Sequence, residues 1–332
     1  MSLGLRNITN TVIRRSDMML WSIHETARHG LPGVFVHVPE CGLGDILLCS
    51  ILFRELRKRG ARNIWVMSPH PELFENNPDV DRIVCHNDRY VRLAAKMQRC
   101  IVPYYATYQP ETDIDLPPHQ HIIAEMCRRA KITGSVNLKP HIWLTEDEKL
   151  SKIGPDLPIV IHSSGGSAQY YMRNKDWYPE RFQQVVDALS PDYRIVQIGS
   201  RDDPPLNGVL DLRGKTSLRE TAAVLHGARL FVGQVGFPMH LARAVDCRSV
   251  IVYGGREPAE QTGYIANENI SRQPMCSPCW YRNRCEFDRA CMNQITSDEV
   301  VAACLRQLEH FGEPLAVEEY EVQPKPGVIA VD

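Results

Sequence analysis

Apolar positions along the chain switch repeatedly between a two-residue and a helical period. A strand-like run over Val34–Val38 leads through a glycine-bearing loop to a helical pattern over Ile46–Arg59 and a second strand at Ile64–Met67, which is a β-α-β unit. Weaker strand signals lie at Arg82–Cys85 and Ile101–Tyr104, and a polar, proline-bearing stretch from Gln109 to His121 leads into a helix ending near Lys131. The alternation resumes with strands at Ile159–His162, Arg194–Ile198, Val209–Leu212, Leu230–Gly233 and Ser249–Tyr253. Helices are predicted over Glu180–Leu189, Leu218–His226, Pro238–Val245 and, last, near Asp298–His310. Between the two periodic regions, Lys149–Pro158 gathers Gly154, Pro155 and Pro158 and reads as a linker.

The pattern predicts an α/β protein of two open domains with a cleft between them, over residues 31–150 and 151–311. Residues 1–30 precede them as a helical extension, with Val12, Met19, Leu20, Trp21 and Ile23 at helical spacing and Arg14 and Arg15 alongside. Their modest basic content favours packing on the chain's own domain or a second copy over peripheral membrane contact. Residues 312–332, with Pro314, Pro324 and Pro326, are expected to be a flexible tail.

A length of 332 residues suits two cores, each of roughly 120 to 180 residues. A charged fraction of 23% and a formal net charge of -2 are ordinary for a soluble protein and give no basis for a nucleic-acid partner. The chain opens without an apolar secretory segment and contains no run of about 18 apolar residues, so the expectation is a soluble protein, at most peripheral at a membrane. Arg54, Arg57, Lys58, Arg59 and Arg62 form either a solvated helix face or a surface for an anionic acceptor.

Of 11 cysteines, seven are scattered through apolar or helical stretches, which fits small buried residues in a reducing cytoplasm. The other four, Cys276, Cys279, Cys285 and Cys291, form a C-x2-C-x5-C-x5-C run. That density suits four thiolates around one structural ion, most simply zinc, with iron also compatible with sulfur ligation. Two disulfides are the alternative, disfavoured by the compartment.

Candidate chemistry sits at strand-to-helix junctions, where open α/β sheets bind ligands. Gly42, Leu43, Gly44 and Asp45 follow the first strand; Asp45 is either a helix N-cap or a general base at the cleft rim. His162, Ser163, Ser164, Gly165 and Gly166 open the second domain, with Lys175 shortly after, a set suited to a diphosphate or to a polar loop with a solvated lysine. Asp202, after the next strand, is a candidate for ribose hydroxyls, though Asp202-Asp203-Pro204-Pro205 is equally good turn chemistry. Gly236 and His240 lie at a fourth junction, where an isolated histidine is either structural or in reach of a phosphate or sugar.

Taken in order, these junctions resemble the ADP-heptose:lipopolysaccharide heptosyltransferase group, glycosyltransferase family nine. The resemblance spans about Val34 to His310. It rests on the early G-x-G-D-x-L, the Ser163-Ser164 loop leading to Lys175-Asp176-Trp177 and Pro179-Glu180-Arg181-Phe182, the segment Gly233–Ala244, and the close at Cys291-Met292. It implies a GT-B fold of two Rossmann-like domains, an acceptor-binding one at 31–150 and a nucleotide-sugar-binding one at 151–311. It also implies inverting sugar transfer with no catalytic metal. By resemblance Asp45 is the base, and Ser163, Ser164, Lys175, Asp202, Gly236 and His240 bind the donor, ADP-heptose or a related nucleotide sugar. The acceptor would be a glycan, a lipid-linked sugar or a protein, and the place the cytoplasm or the inner face of the membrane. Where the family usually has Asp-Ser-Gly or Asp-Thr-Gly, this chain has Gln234-Val235-Gly236, which opens the donor sugar to question. Two rivals stand beside this reading: a catalytically silent GT-B relative serving as a binding subunit, and an NAD-dependent oxidoreductase, which lacks its full glycine fingerprint here. Tyr170 and Tyr171, in a lengthened loop, are available to stack on a sugar or base.

Overall fold

The computed structural model describes residues 20, 24, 32–85, 100–105, 108–149 and 157–324. The helical extension, apart from residues 20 and 24, and the linker core at 150–156 lie outside the described residues.

The first domain is built on four parallel strands, β1 (Val34–His37), β2 (Ile64–Ser68), β3 (Arg82–Cys85) and β4 (Cys100–Ile101), in the order β3-β2-β1-β4. Helix α1 (Leu43–Lys58) returns the chain between β1 and β2. Its apolar residues run almost all round, from Ile46 to Phe53 and again at Leu56, because it is covered on more than one side. One face meets its own sheet and another packs on the second domain. A hairpin of β5 (Tyr108–Gln109) and β6 (Ile114–Asp115) follows, then α2 (Ile122–Arg129) and β7 (Gly134–Asn137).

The second domain holds six parallel strands in the order β10-β9-β8-β11-β12-β13. These are β8 (Ile159–Ile161), β9 (Ile195–Gln197), β10 (Leu210–Asp211), β11 (Leu230–Gln234), β12 (Ser249–Gly254) and β13 (Glu268–Ser271). Helices α3 (Pro179–Leu189), α4 (Leu218–His226), α5 (Phe237–Ala244) and α6 (Ser297–Glu309) cover the sheet. Ser217 caps α4 in a complete capping box with Glu220. One apolar cluster runs without a break from α1 through α5 into the second sheet, joining Ile46 and Leu52 to Met239, Leu241 and Ile251.

Two expectations change. Residues 312–332 are not a free tail throughout, because β14 (Glu319–Val322) pairs antiparallel with β7, carrying the chain back from the second domain onto the first. The sequence Glu319-Tyr320-Glu321-Val322 alternates polar and apolar, so Val322 is buried while Glu319 accepts hydrogen bonds from Ser135 and Asn137. Asp45 is not a helix cap either: Gly42 holds that position, and Asp45 lies inside the first turn of α1.

Among the polar contacts between the domains, two are built on buried arginines. At one, Asp115 at the end of β6 accepts from the guanidinium groups of Arg256 and Arg282, both from the second domain; Arg282 binds through two nitrogens, at 2.6 and 3.0 Å. All three are largely buried, and the same hairpin is tied to the cysteine segment by Asp115 N to Trp280 O and by Asp113, which accepts from the amides of Asn283 and Arg284. At the other, Arg219 of α4 donates to both carboxylate oxygens of Glu148, at 2.5 and 2.7 Å, and to the carbonyls of Glu72 and Trp143.

Removing Asp115 would leave two buried guanidinium groups without their shared anion. Asp115→Ala is therefore expected to lower unfolding free energy by about 3 to 5 kcal/mol, read from urea denaturation. The Arg219 hydrogen bonds hold the Glu148 carboxyl down to about 2, below its ordinary value of 4.5. An acid whose folded value is depressed adds stability above its unfolded value and loses it as pH falls through the folded one. Melting temperature should thus drop between about pH 4.5 and about pH 2, and Arg219→Met should flatten that part of the profile.

Candidate active site

Asp45, Lys175 and His240 meet where α1 faces α5 across the domain boundary. The approach is close: a Cβ placed on Gly44 would stand 2.9 Å from His240 Cδ2, so only glycine lets the first turn of α1 lie against this histidine. Asp45 is half-buried, and its Oδ1 accepts a 2.8 Å hydrogen bond from the Tyr105 hydroxyl. Burial raises the Asp45 carboxyl above the usual carboxylate range; the Tyr105 hydrogen bond and the Lys175 charge pull it back, while Glu257 and Asp115 push it further up.

Lys175 Nζ pairs with Glu257 Oε1 at 2.9 Å, and Glu257 also receives Arg256. Although burial opposes its ionisation, Glu257 is held below its usual value by Lys175 and Arg256. A chain of charges thus runs from Lys175 through Glu257 and Arg256 to Asp115 and Arg282, from the mouth of the site to the interdomain tie. His240 is buried and shares a 2.7 Å hydrogen bond between its Nδ1 and the Tyr264 hydroxyl. Burial, then the Lys175 charge, push it down to about 3, so its imidazole is neutral at physiological pH.

Behind these residues lies the loop after β8. The Ser163 hydroxyl accepts from Gln197 Nε2 at 3.0 Å and that of Ser164 from the amide of Gly166 at 2.9 Å, so both serines are built into the loop. Gly236 caps α5, the helix that carries His240. Asp202 is exposed. Its neighbour Asp203 is the buried one, accepting from the amide of Ser200 at 2.7 Å and the hydroxyl of Ser167 at 2.8 Å and standing 3.8 Å from His162 Nε2. Gln234, in place of the expected carboxylate, accepts from the amide of Trp177 at 2.9 Å and donates to Asp176. Asp176 also accepts from the amide of Gly165, so a carboxylate occupies this spot from another strand connection.

Several participants escaped sequence reasoning: Tyr105, Glu257, Asp115, Asp176 and Tyr264. Only Asp176 carried a signal, being next to Lys175 in the motif. The others come from loops whose convergence is a property of the folded pair of domains.

The four cysteines of the 276–291 segment line one cavity of ≈ 190 Å³ beside Arg284 and Phe287. None forms a disulfide. Main-chain amides reach three of the sulfurs: that of Arg289 lies 3.2 Å from Cys285 Sγ, that of Tyr281 bonds Cys279, and those of Gly255 and Met292 bond Cys291. Burial raises the thiols of Cys279 and Cys291, and the amide donors offset it only in part; four sulfurs on one segment are by type the ligands of a thiophilic ion. The sulfurs are not drawn to one point: among the described residues no three His, Cys, Asp or Glu side chains form a coordination group. No helix among the described residues is long and apolar enough to cross a membrane.

Residues 156–289 match glycosyltransferase family 9 (heptosyltransferase). Among solved structures, the glycosyl transferase family 9 protein from Veillonella parvula is similar with a TM-score of 0.62 and 16% identity, over 83% of this chain and 97% of that one. The E. coli ADP-heptose lps heptosyltransferase II gives 0.62 and 14% identity, over 83% and 99%. The iron-containing dodecameric glycosyltransferase TibC of enterotoxigenic E. coli gives 0.61 and 15% identity, over 83% and 76%. No curated protein matches. The likeness to these structures shows the fold, two parallel-sheet domains on a GT-B scaffold, and the match to family 9 lies within the second of them.

Proposed function

We propose that this chain transfers a sugar, heptose or a close relative, with inversion from a nucleoside diphosphate donor to a hydroxyl of a glycan, lipid-linked or protein acceptor. The observation that carries the reading is the position of Asp45. Its half-buried carboxylate belongs to the first domain yet faces Lys175 of the second, with His240 against the adjoining Gly44. ADP-heptose is the donor that the neighbours' names favour.

In the step this arrangement supports, Asp45 takes the proton of the acceptor hydroxyl as its oxygen bonds to the anomeric carbon. The bond from that carbon to the diphosphate oxygen breaks on the opposite side, and the nucleoside diphosphate leaves with the electron pair. Lys175 and the N-terminal dipole of α5 would neutralise the leaving charge. Neutral His240 would offer a hydrogen bond rather than a charge. Asp202, exposed at this turn, would accept from ribose hydroxyls, while both oxygens of Asp203 already accept from Ser167 and Ser200.

Cys276, Cys279, Cys285 and Cys291 would hold a structural zinc or iron. The ion's contribution is to brace the segment on which the β5–β6 hairpin rests; no chemical step involves it. TibC is named as iron-containing, which supports iron as one of the two candidates.

Asp45→Asn should lower kcat by about 10² to 10⁴-fold while leaving nucleotide affinity near that of the parent, measured by steady-state transfer and calorimetry. Wild-type turnover in that variant would remove Asp45 from the mechanism. Lys175→Ala should weaken nucleoside diphosphate binding by about 1.5 to 3 kcal/mol. For the cysteines, elemental analysis of the purified protein should find zinc or iron, and Cys279→Ser should release it and lower the melting temperature. A protein that carries no metal as isolated would end the tetrathiolate assignment.

A further inference from the structure

Tyr105 is joined to the proposed base by more than proximity. It lies just after β4, in a short segment whose course Arg129 of α2 fixes from outside: Nη1 donates to the carbonyl of Tyr104 at 2.6 Å and Nη2 to that of Tyr105 at 3.1 Å. Arg129 is in turn held by Glu125, which also receives Arg128. The result is a relay of fixed contacts from α2 to the segment and from the segment to Asp45, ending at the 2.8 Å hydrogen bond on Oδ1.

We propose that Tyr105 is a positioning residue for Asp45: by donating to Oδ1 it fixes the carboxylate's rotamer and leaves Oδ2 to meet the acceptor hydroxyl. The proposal rests on the reading of Asp45 as the base. The surroundings show why such a donor matters. Asp45 faces the thiols Cys41 and Cys49 from its own end of α1, Tyr104 and Tyr105 from the β4 segment, Asp115 from β6, Lys175 and Glu257 from the second domain, and His240 from α5 beside Gly44. Two of these are carboxylates that oppose its ionisation, and His240 is neutral. Lys175 is shared with Glu257. The Tyr105 hydroxyl is therefore the dedicated neutral donor to this carboxylate, and it is too far above its own usual range, through burial and the Asp45 charge, to surrender its proton.

The sign follows. A donor to the ionised form favours it, so removing the hydroxyl raises the Asp45 carboxyl further and moves the acid limb of activity to higher pH. For Tyr105→Phe, kcat at the acid side of the profile should fall about tenfold and recover as pH rises, with donor KM unchanged. Arg129→Met, which loosens the segment but keeps the hydroxyl, should move the limb in the same direction by less. An acid limb unmoved in a folded Tyr105→Phe protein, with only a lower melting temperature, would reduce Tyr105 to a packing role. Should Tyr105→Phe melt out, an unmoved limb in Arg129→Met would count against the proposal equally. Asp45→Asn run in parallel separates the two levels: an active Asp45→Asn variant overturns the base itself, whereas an inactive one beside an unshifted Tyr105→Phe profile overturns only the inference drawn here.

Discussion

The buried carboxylate of Asp115 is the point on which the two halves of this molecule are registered. It reaches out of the first domain on a two-strand hairpin and accepts from Arg256 and Arg282 of the second, all three largely removed from water. Desolvating three charges is costly unless they satisfy one another, so this contact tolerates little displacement. Arg256 leaves the end of β12 and Arg282 comes from the cysteine segment, so fixing Asp115 fixes both relative to the hairpin. Trp280, whose ring lies under Arg256 and whose carbonyl receives the Asp115 amide, adds a backbone tie to the ionic one.

That registration is transmitted to the site through alternating charges. Arg256 also holds Glu257, and Glu257 holds Lys175, which faces Asp45 from the far side of the domain boundary. A shift of the hairpin would therefore alter the charge around the proposed base without touching it. The apolar continuity from α1 through α5 acts in the same sense, since the close approach permitted by Gly44 leaves little room for sliding at the place where reactants would meet.

What the sequence revealed and what it hid divide along physical lines. Strong periodicity made the long elements legible: α1, α3, α4, α5 and α6 and the central strands of both sheets occur close to the expected places, because each carries enough apolar residues to declare its period. Short elements escaped. The hairpin strands have two residues each, and their stability comes from Arg282 and the cysteine segment rather than from their own composition. β14 did carry an alternating signal, masked by the prolines around it. The junction residues were readable because strand ends in open α/β sheets are where ligands bind. Tyr105, Glu257 and Asp115 were not, as each is brought in by a connection with no period. Asp202 and Asp203 show the limit of resolution at such a turn: both suit an acceptor role by type, and only the fold decides that the second is turned inward.

The charge balance at the site adds a last constraint. Asp45, Glu257 and Asp115 bring three carboxylates into one region, matched by Lys175, Arg256 and Arg282. Arg256 and Arg282 are committed to the interdomain tie by buried hydrogen bonds, which on the proposed reading leaves Lys175 as the cation of this group to meet an incoming diphosphate. A diphosphate that engages Lys175 competes with Glu257 for it, and every loosening of that pair leaves Glu257 more exposed to its remaining partner, Arg256. On the proposed reading, donor binding and the interdomain tie would be two ends of one electrostatic chain, with the raised carboxyl of Asp45 at its open end, beside the Lys175 charge.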